Sequence, residues 1–155
     1  MRHYPSDSPQ AMARILALAM IVDGGLDRSE LEIISRHQML TKLGLDETEF
    51  STILHHVCED MLQCLHNPNF GQIELDYAAL DGIFAEIQDQ ELRLLLLRWM
   101  VAIVDADQRI SEGEAIFMSR ALSCWIDDAL YEEAAYNSAT SLYRPPITTV
   151  AAQPG

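Results

Sequence analysis

Acidic residues recur at one spacing in two separate parts of the chain. In each part an Asp precedes a Glu by seven residues, and further acids lie beside these pairs. The six acids are Asp23, Asp27, Glu30, Asp105, Asp107 and Glu114. Carboxylate oxygens are the hard ligands that Ca²⁺ and Mg²⁺ take in proteins. The pattern therefore predicts that these acids bind a divalent cation, with Ca²⁺ or Mg²⁺ favoured over Zn²⁺.

The same acids also have a purely structural interpretation. Asp is common in turns, and each Glu is the last residue of a capping box, in which its carboxylate accepts a hydrogen bond from the N–H that precedes the helix. The boxes are Asp27-x-x-Glu30 and Ser111-x-x-Glu114, and Asp46-x-x-Glu49 is a third. Both interpretations stay open from the sequence.

A second group of candidate ligands lies in one short segment. His55, Cys58, Glu59 and His66 fall near one face of a predicted helix and include residue types that bind Zn²⁺. No Cys-x-x-Cys pair accompanies them. We therefore favour incidental polar residues of a partly buried helix over a zinc site.

Charge and composition restrict the partners. Ten Lys and Arg against 24 Asp and Glu give a formal charge of −14, which repels nucleic acid and favours a basic protein as partner. The apolar stretches are shorter than the ~20 residues that a spanning helix needs, so no membrane insertion is expected. Three scattered cysteines favour a reducing, cytoplasmic location over a disulfide-linked secreted protein. The sequence is compatible with a homo-oligomer.

Helical periodicity extends through nearly every long segment, and no segment alternates as a half-buried strand does. The sequence therefore predicts an all-α, compact bundle of about seven helices in a single domain, residues 1–155. Its core is expected at about 9–143, with a loosely ordered tail at 144–155. The predicted helices cover about 9–22, 27–43, 46–66, 74–87 and 91–104, with a sixth from 111 and a seventh after 127.

The predicted fifth helix is apolar on nearly all sides. This composition is typical of the central helix of a bundle, so we expect it to be the most buried element. Leu95, Met100 and Ile103 should then be among the least exposed residues of the protein.

The chain also matches itself when it is shifted by 84 residues. Around the two helix pairs, the identical pairs are Arg14 and Arg98, Asp23 and Asp107, Glu30 and Glu114, Ser35 and Ser119, and Arg36 and Arg120. The match predicts two equivalent helix hairpins, residues 9–43 and 91–123. If their loops lie at the same end of the bundle, the acids converge.

At these residues the sequence resembles the tellurite-resistance TerB-like family, whose signature is Asp-Gly-x-(Ile/Val)-(Ser/Thr)-x-x-Glu between two helices. The matching segments are Asp23-Gly24-Gly25-Leu26-Asp27-Arg28-Ser29-Glu30 and Asp107-Gln108-Arg109-Ile110-Ser111-Glu112-Gly113-Glu114. Gln108 replaces the glycine, and Asp27 replaces the Ser/Thr. The resemblance covers about residues 9–143. It implies a helical bundle with two pseudo-repeated hairpins, metal-binding acids and an association with stress or tellurite resistance.

Enzymatic motifs do not appear in the sequence. It lacks the Gly-x-Ser-x-Gly of serine hydrolases and the glycine-rich patterns that bind nucleotide phosphates. We therefore predict a non-enzymatic binding or interaction module that binds a divalent cation. The alternatives are a metal-dependent enzyme that uses the acidic loops and a metal-free structural adaptor.

Overall fold

The computed structural model describes residues 2–22, 28–64, 77–105 and 110–141, with backbone alone at 28–30, 63–64 and 127–141. These residues form helices and no strand. The helices are α1 (Pro9–Ile21), α2 (Arg28–Arg36), α3 (Met39–Leu43), α4 (Glu47–Cys64), α5 (Tyr77–Phe84), α6 (Gln90–Val104) and α7 (Glu112–Ser141). The all-α prediction of about seven helices is confirmed. The predicted tail, 144–155, lies outside the described residues.

Local sequence signals set where several helices begin. Ser8 caps α1, since its Oγ accepts from the Ala11 N–H at 3.2 Å, and Pro9 follows at the first helical position. The capping box before α4 forms as predicted: the Glu49 N–H donates to Asp46 at 2.8 Å, and the Asp46 N–H donates to Glu49 at 2.9 Å.

Two predicted helix boundaries are wrong. One predicted helix is divided into two and two others are joined into one, so the number of helices stays the same. The predicted second helix is interrupted between α2 and α3, because Gln38 adopts the left-handed conformation with φ 52°. The predicted sixth and seventh helices form the single helix α7, which passes through Asp127 without a break. Asp127 therefore does not begin a helix. Neither Gly nor Pro lies close to it to force an end.

The central helix is α1, and the expectation that residues 91–104 form the most buried element is wrong. Ten of the 13 residues of α1 are buried, and α1 packs against α3, α4, α5 and α6. Its alanines allow neighbouring helices to approach it on several sides. In α6, Met100 and Ile103 are buried as predicted, whereas Leu95 is only partly buried. The fully buried leucine of α6 is Leu96.

An aromatic cluster joins α5 to α7. The Phe84 ring lies 5.2 Å from that of Phe117 and 5.3 Å from that of Trp125, centroid to centroid. The Trp125 indole N–H donates to the Phe84 carbonyl at 3.0 Å, so its polar atom is satisfied inside the core.

The contacts divide the chain into residues 1–125 and residues 126–155. The first unit contains the buried core from Ala11 to Trp125. Of the second unit, the backbone of α7 is described up to Ser141. Among the described residues, no helix combines the length and the apolar character that crossing a membrane requires.

Candidate functional site

The predicted acids lie in and around two segments between helices. Asp23, Asp27 and Asp107 are outside the described residues, and Glu30 lies in α2, where only the backbone is described. Asp105 is exposed and caps the C-terminus of α6, its N–H donating to the Val101 carbonyl at 2.9 Å.

Glu114 has a defined structural role. The Ser111 N–H donates to its Oε2 at 2.7 Å, and the Glu114 N–H donates to the Ser111 Oγ at 3.1 Å. This is the predicted capping box of α7. Glu114 is also buried, so one of its carboxylate oxygens is committed to the start of the helix.

The residue that precedes the first acidic segment contacts a residue of the second. Gly113, in the first turn of α7, packs against the backbone of Val22, the residue that immediately precedes Asp23. A Cβ atom added at Gly113 would lie 2.6 Å from the Val22 carbonyl oxygen, a distance that only glycine permits. The end of α1 therefore touches the start of α7, directly beside Glu114.

The predicted zinc ligands have other partners where they are described. The Glu59 carboxylate accepts from the Arg2 guanidinium at 2.6 Å and lies 3.3 Å from the His55 Nε2. The hydrogen bond from Arg2 lowers the pKa of Glu59. Cys58 is a free, partly buried thiol, and His66 is outside the described residues. Across the part of the chain that the structure describes, no three His, Cys, Asp or Glu side chains form a metal-binding group.

A buried ion pair that the sequence pattern does not predict connects α1 to the turn after α5. Arg14 is 2% exposed and bonds to the Glu86 carboxylate and to the Arg2 carbonyl, while its guanidinium lies 5.2 Å from the centre of the Tyr4 ring. Within the described residues, its Nε is the one buried side-chain nitrogen or oxygen with no partner. A lone Arg in an apolar helix was the signal that could have indicated this pair.

The segment before α1 is held along its length by polar contacts. The Arg2 N–H donates to Asp60 on α4 at 2.7 Å, and His3 Nδ1 lies 3.0 Å from Glu86. Asp7, at φ 57°, accepts from the Gln88 N–H at 2.7 Å. This arrangement attaches the segment to α4 and to the turn between α5 and α6.

A second polar cluster links α5 to α7 at the surface. The Arg120 Nε donates to Asp81 at 2.5 Å, the Cys124 thiol lies 3.3 Å from the same carboxylate, and the guanidinium lies 5.6 Å from the Tyr77 ring centre. The hydrogen bond from Arg120 lowers the pKa of Asp81, and the same bond raises the pKa of Arg120. A depression of about 390 Å³ lies beside Tyr77 and Arg120. Because the guanidinium is already paired with Asp81, it is not a free anion-binding group.

The described arginines of the internal repeat differ in their surroundings. Arg14 is buried and paired, whereas Arg98 is exposed; Arg36 is exposed, whereas Arg120 is half-buried beside Asp81. Equivalence of the two hairpins stays a prediction, because the aligned Asp of each lies outside the described residues.

Comparison with known proteins gives no match: no family model fits the chain, and neither a curated protein nor a solved structure matches it significantly. The TerB-like resemblance remains a prediction that depends on the two acidic segments.

Proposed function

We propose that the chain is a non-enzymatic binding module of the TerB-like type whose two acidic segments together hold a divalent cation, Ca²⁺ or Mg²⁺. The contact between Gly113 and Val22 is the observation that supports this proposal. Val22 leads directly into Asp23, and Gly113 directly precedes Glu114. The chain therefore enters the first acidic segment beside the residue that precedes Glu114, and we infer that the remaining acids gather near this point.

Carboxylates gathered at one place repel one another unless a cation, a proton or a basic group compensates their charge. In a protein of charge −14, few cationic side chains are available for this purpose. Glu114 already uses one oxygen as a cap, so we assign most of the ligation to the other five acids: Asp23, Asp27, Glu30, Asp105 and Asp107.

The proposal extends to the cellular role that the resemblance implies. We place the protein in the cytoplasm, in association with stress or tellurite resistance and with a basic protein as partner. Tellurite itself is not the proposed ligand, because an oxyanion is repelled by a strongly acidic protein.

Calorimetric titration with Ca²⁺ and with Mg²⁺ tests the proposal, combined with thermal melting of wild type and Asp107→Asn. A free cation at 100 times its Kd stabilises the folded state by about 2.7 kcal/mol. For a chain of this size that shift raises the Tm by roughly 5–10 °C. Asp107→Asn should lose most of this rise, because it removes a ligand charge at nearly constant shape.

Asp89→Asn is the matched control. Asp89 caps the opposite end of α6 through the Leu92 N–H at 3.0 Å, and Asn is an equally good cap. This variant changes the net charge by the same amount and should keep the full cation response. An equal loss in both variants would indicate general charge screening and would contradict a defined site.

The two alternatives give different results. If the protein turns over a substrate and chelator abolishes this activity, the metal-dependent enzyme is indicated. A Tm that millimolar Ca²⁺ and Mg²⁺ leave unchanged in both wild type and Asp107→Asn would favour the metal-free adaptor.

A further inference from the structure

The outward face of α6 carries an ordered row of exposed side chains. They follow one another at alternating spacings of three and four residues: Glu91, Leu94, Arg98, Val101 and Asp105, here called the α6 stripe. At 100° per residue, these positions fall within about 80° of the helix circumference and span about 21 Å of its length. The stripe is therefore a single continuous surface.

Charged and apolar residues alternate along the stripe. Leu94 and Val101 are 55% and 54% exposed, which is a large exposure for two aliphatic side chains on one helix face. The charges at 91, 98 and 105 are negative, positive and negative, each seven residues from the next. Leu94 and Val101 are also seven residues apart, so the charged and the apolar positions share the seven-residue period with which helices repeat in coiled coils.

We propose that the α6 stripe binds one amphipathic helix of another protein, and that the facing side of that helix carries a basic, an acidic and a basic residue at seven-residue spacing. Aliphatic side chains of the partner helix, placed between these charges, would pack on Leu94 and Val101. The partner charges would then lie opposite Glu91, Arg98 and Asp105. Helix-on-helix docking of this kind relies on a few apolar anchors, and the charges set the register.

The charges argue against a second copy of this chain as the occupant. Fully overlapped parallel copies would place each charge against its equal. Fully overlapped antiparallel copies would place Arg98 against Arg98 and Glu91 against Asp105, which is again repulsive. A pairing offset by seven residues brings opposite charges together, but it uses only one exposed apolar side chain from each copy. A partner with the inverted charge order uses the whole stripe.

This inference is independent of the proposed cation site, although Asp105 belongs to both. Arg98 has no place among the proposed cation ligands, so its substitution tests the stripe alone. Measurements in chelator separate the two proposals, because helix binding should persist when the cation is removed.

The experiment uses two synthetic helices that are stapled on their outer faces so that both are equally ordered. One carries Lys, Glu and Lys at seven-residue spacing with Leu between them, and the other carries Glu, Lys and Glu in the same frame. Binding to the full chain is measured by fluorescence anisotropy. We expect the first helix to bind about tenfold more tightly, since three surface pairs change from repulsion to attraction.

Arg98→Glu is the decisive variant. At the middle position of the synthetic helix, it should change the preferred residue from Glu to Lys. A helix with Lys at all three positions should then bind several-fold more tightly than the Lys-Glu-Lys helix. Arg36→Glu, at an exposed arginine outside the stripe, is the matched control and should keep the wild-type order. Leu94→Ser combined with Val101→Ser should weaken binding about tenfold, and because both side chains are half exposed the fold should be retained.

Several results would overturn the inference. These are equal affinities for the two helices, no binding up to about 1 mM, or an unchanged preference in Arg98→Glu. Sedimentation that shows wild-type dimers dissociated by Leu94→Ser would instead assign the stripe to a second copy.

Discussion

Replacing Gly113 with alanine tests the contact between the end of α1 and the start of α7. The added Cβ would lie 2.6 Å from the Val22 carbonyl oxygen, whereas ordinary contacts begin at 3.4 Å. The atoms must therefore separate by about 0.4 Å to reach 3.0 Å and by about 0.8 Å to reach an ordinary contact, and overpacking of this kind costs about 1–3 kcal/mol. Alanine is also the better helix former, by up to about 1 kcal/mol. We expect a net destabilisation of about 1–2 kcal/mol.

Gly82→Ala is the matched control, because Gly82 also lies in a helix but has no atom within 4 Å of an added Cβ. This variant should gain about 0.4–1 kcal/mol. Urea unfolding followed by the fluorescence of the two buried tryptophans measures both changes. If Gly113→Ala were as stable as Gly82→Ala, the end of α1 would not adjoin the start of α7. The cation proposal would then lose its structural support.

Three further predictions concern the core and its ion pairs. Leu96→Ala should cost about 2–5 kcal/mol in urea unfolding, and Leu95→Ala clearly less, because only the first side chain is fully buried. Glu86→Gln leaves a buried guanidinium without its counter-charge and should cost about 3 kcal/mol, whereas Glu91→Gln, at an exposed position, should stay within about 0.5 kcal/mol of wild type. The hydrogen bond from Arg120 lowers the native pKa of Asp81 below the unfolded value of about 3.9. The pair therefore stabilises the fold above about pH 4. The free energy of unfolding of wild type should therefore exceed that of Asp81→Asn by more at about pH 6 than at about pH 2, because the carboxylate becomes protonated as the pH falls through its native pKa. An equal difference at the two pH values would contradict the pairing of Asp81 with Arg120.

Helix content and several helix starts could be predicted because their causes are local. Ser8 and Pro9 before α1, and the capping boxes before α4 and α7, satisfy the first N–H groups within a few residues of sequence. The break at Gln38 has no such signal, since glutamine rarely adopts φ near 52°.

Which helix lies at the centre could not be predicted from periodicity. The sequence of α6 is apolar on most sides, but Leu94 and Val101 face solvent. The alanines of α1 contribute little apolar area each, yet their small size lets several helices approach one another around them. Centrality depends on this fit, and hydrophobicity alone does not reveal it.

The candidate site was only partly predictable for the same reason. The spacing from Ser111 to Glu114 predicted a cap, and the structure contains it. That Gly113 lies against Val22, and that Arg14 pairs with Glu86, depend on contacts between residues far apart in the chain. The residue types alone indicate neither partner.

The central position of α1 also means that the most buried helix is synthesised before the helices that cover it. Helix α1 is synthesised before all of the helices that pack around it, α3, α4, α5 and α6. Arg2 binds a residue 58 positions further along the chain, and Arg14 binds one 72 positions further. Long separations of this kind slow folding, because the chain loses entropy before the contacts form. The nascent chain therefore carries its most extensively buried helix without all of its packing partners until α6 has been completed.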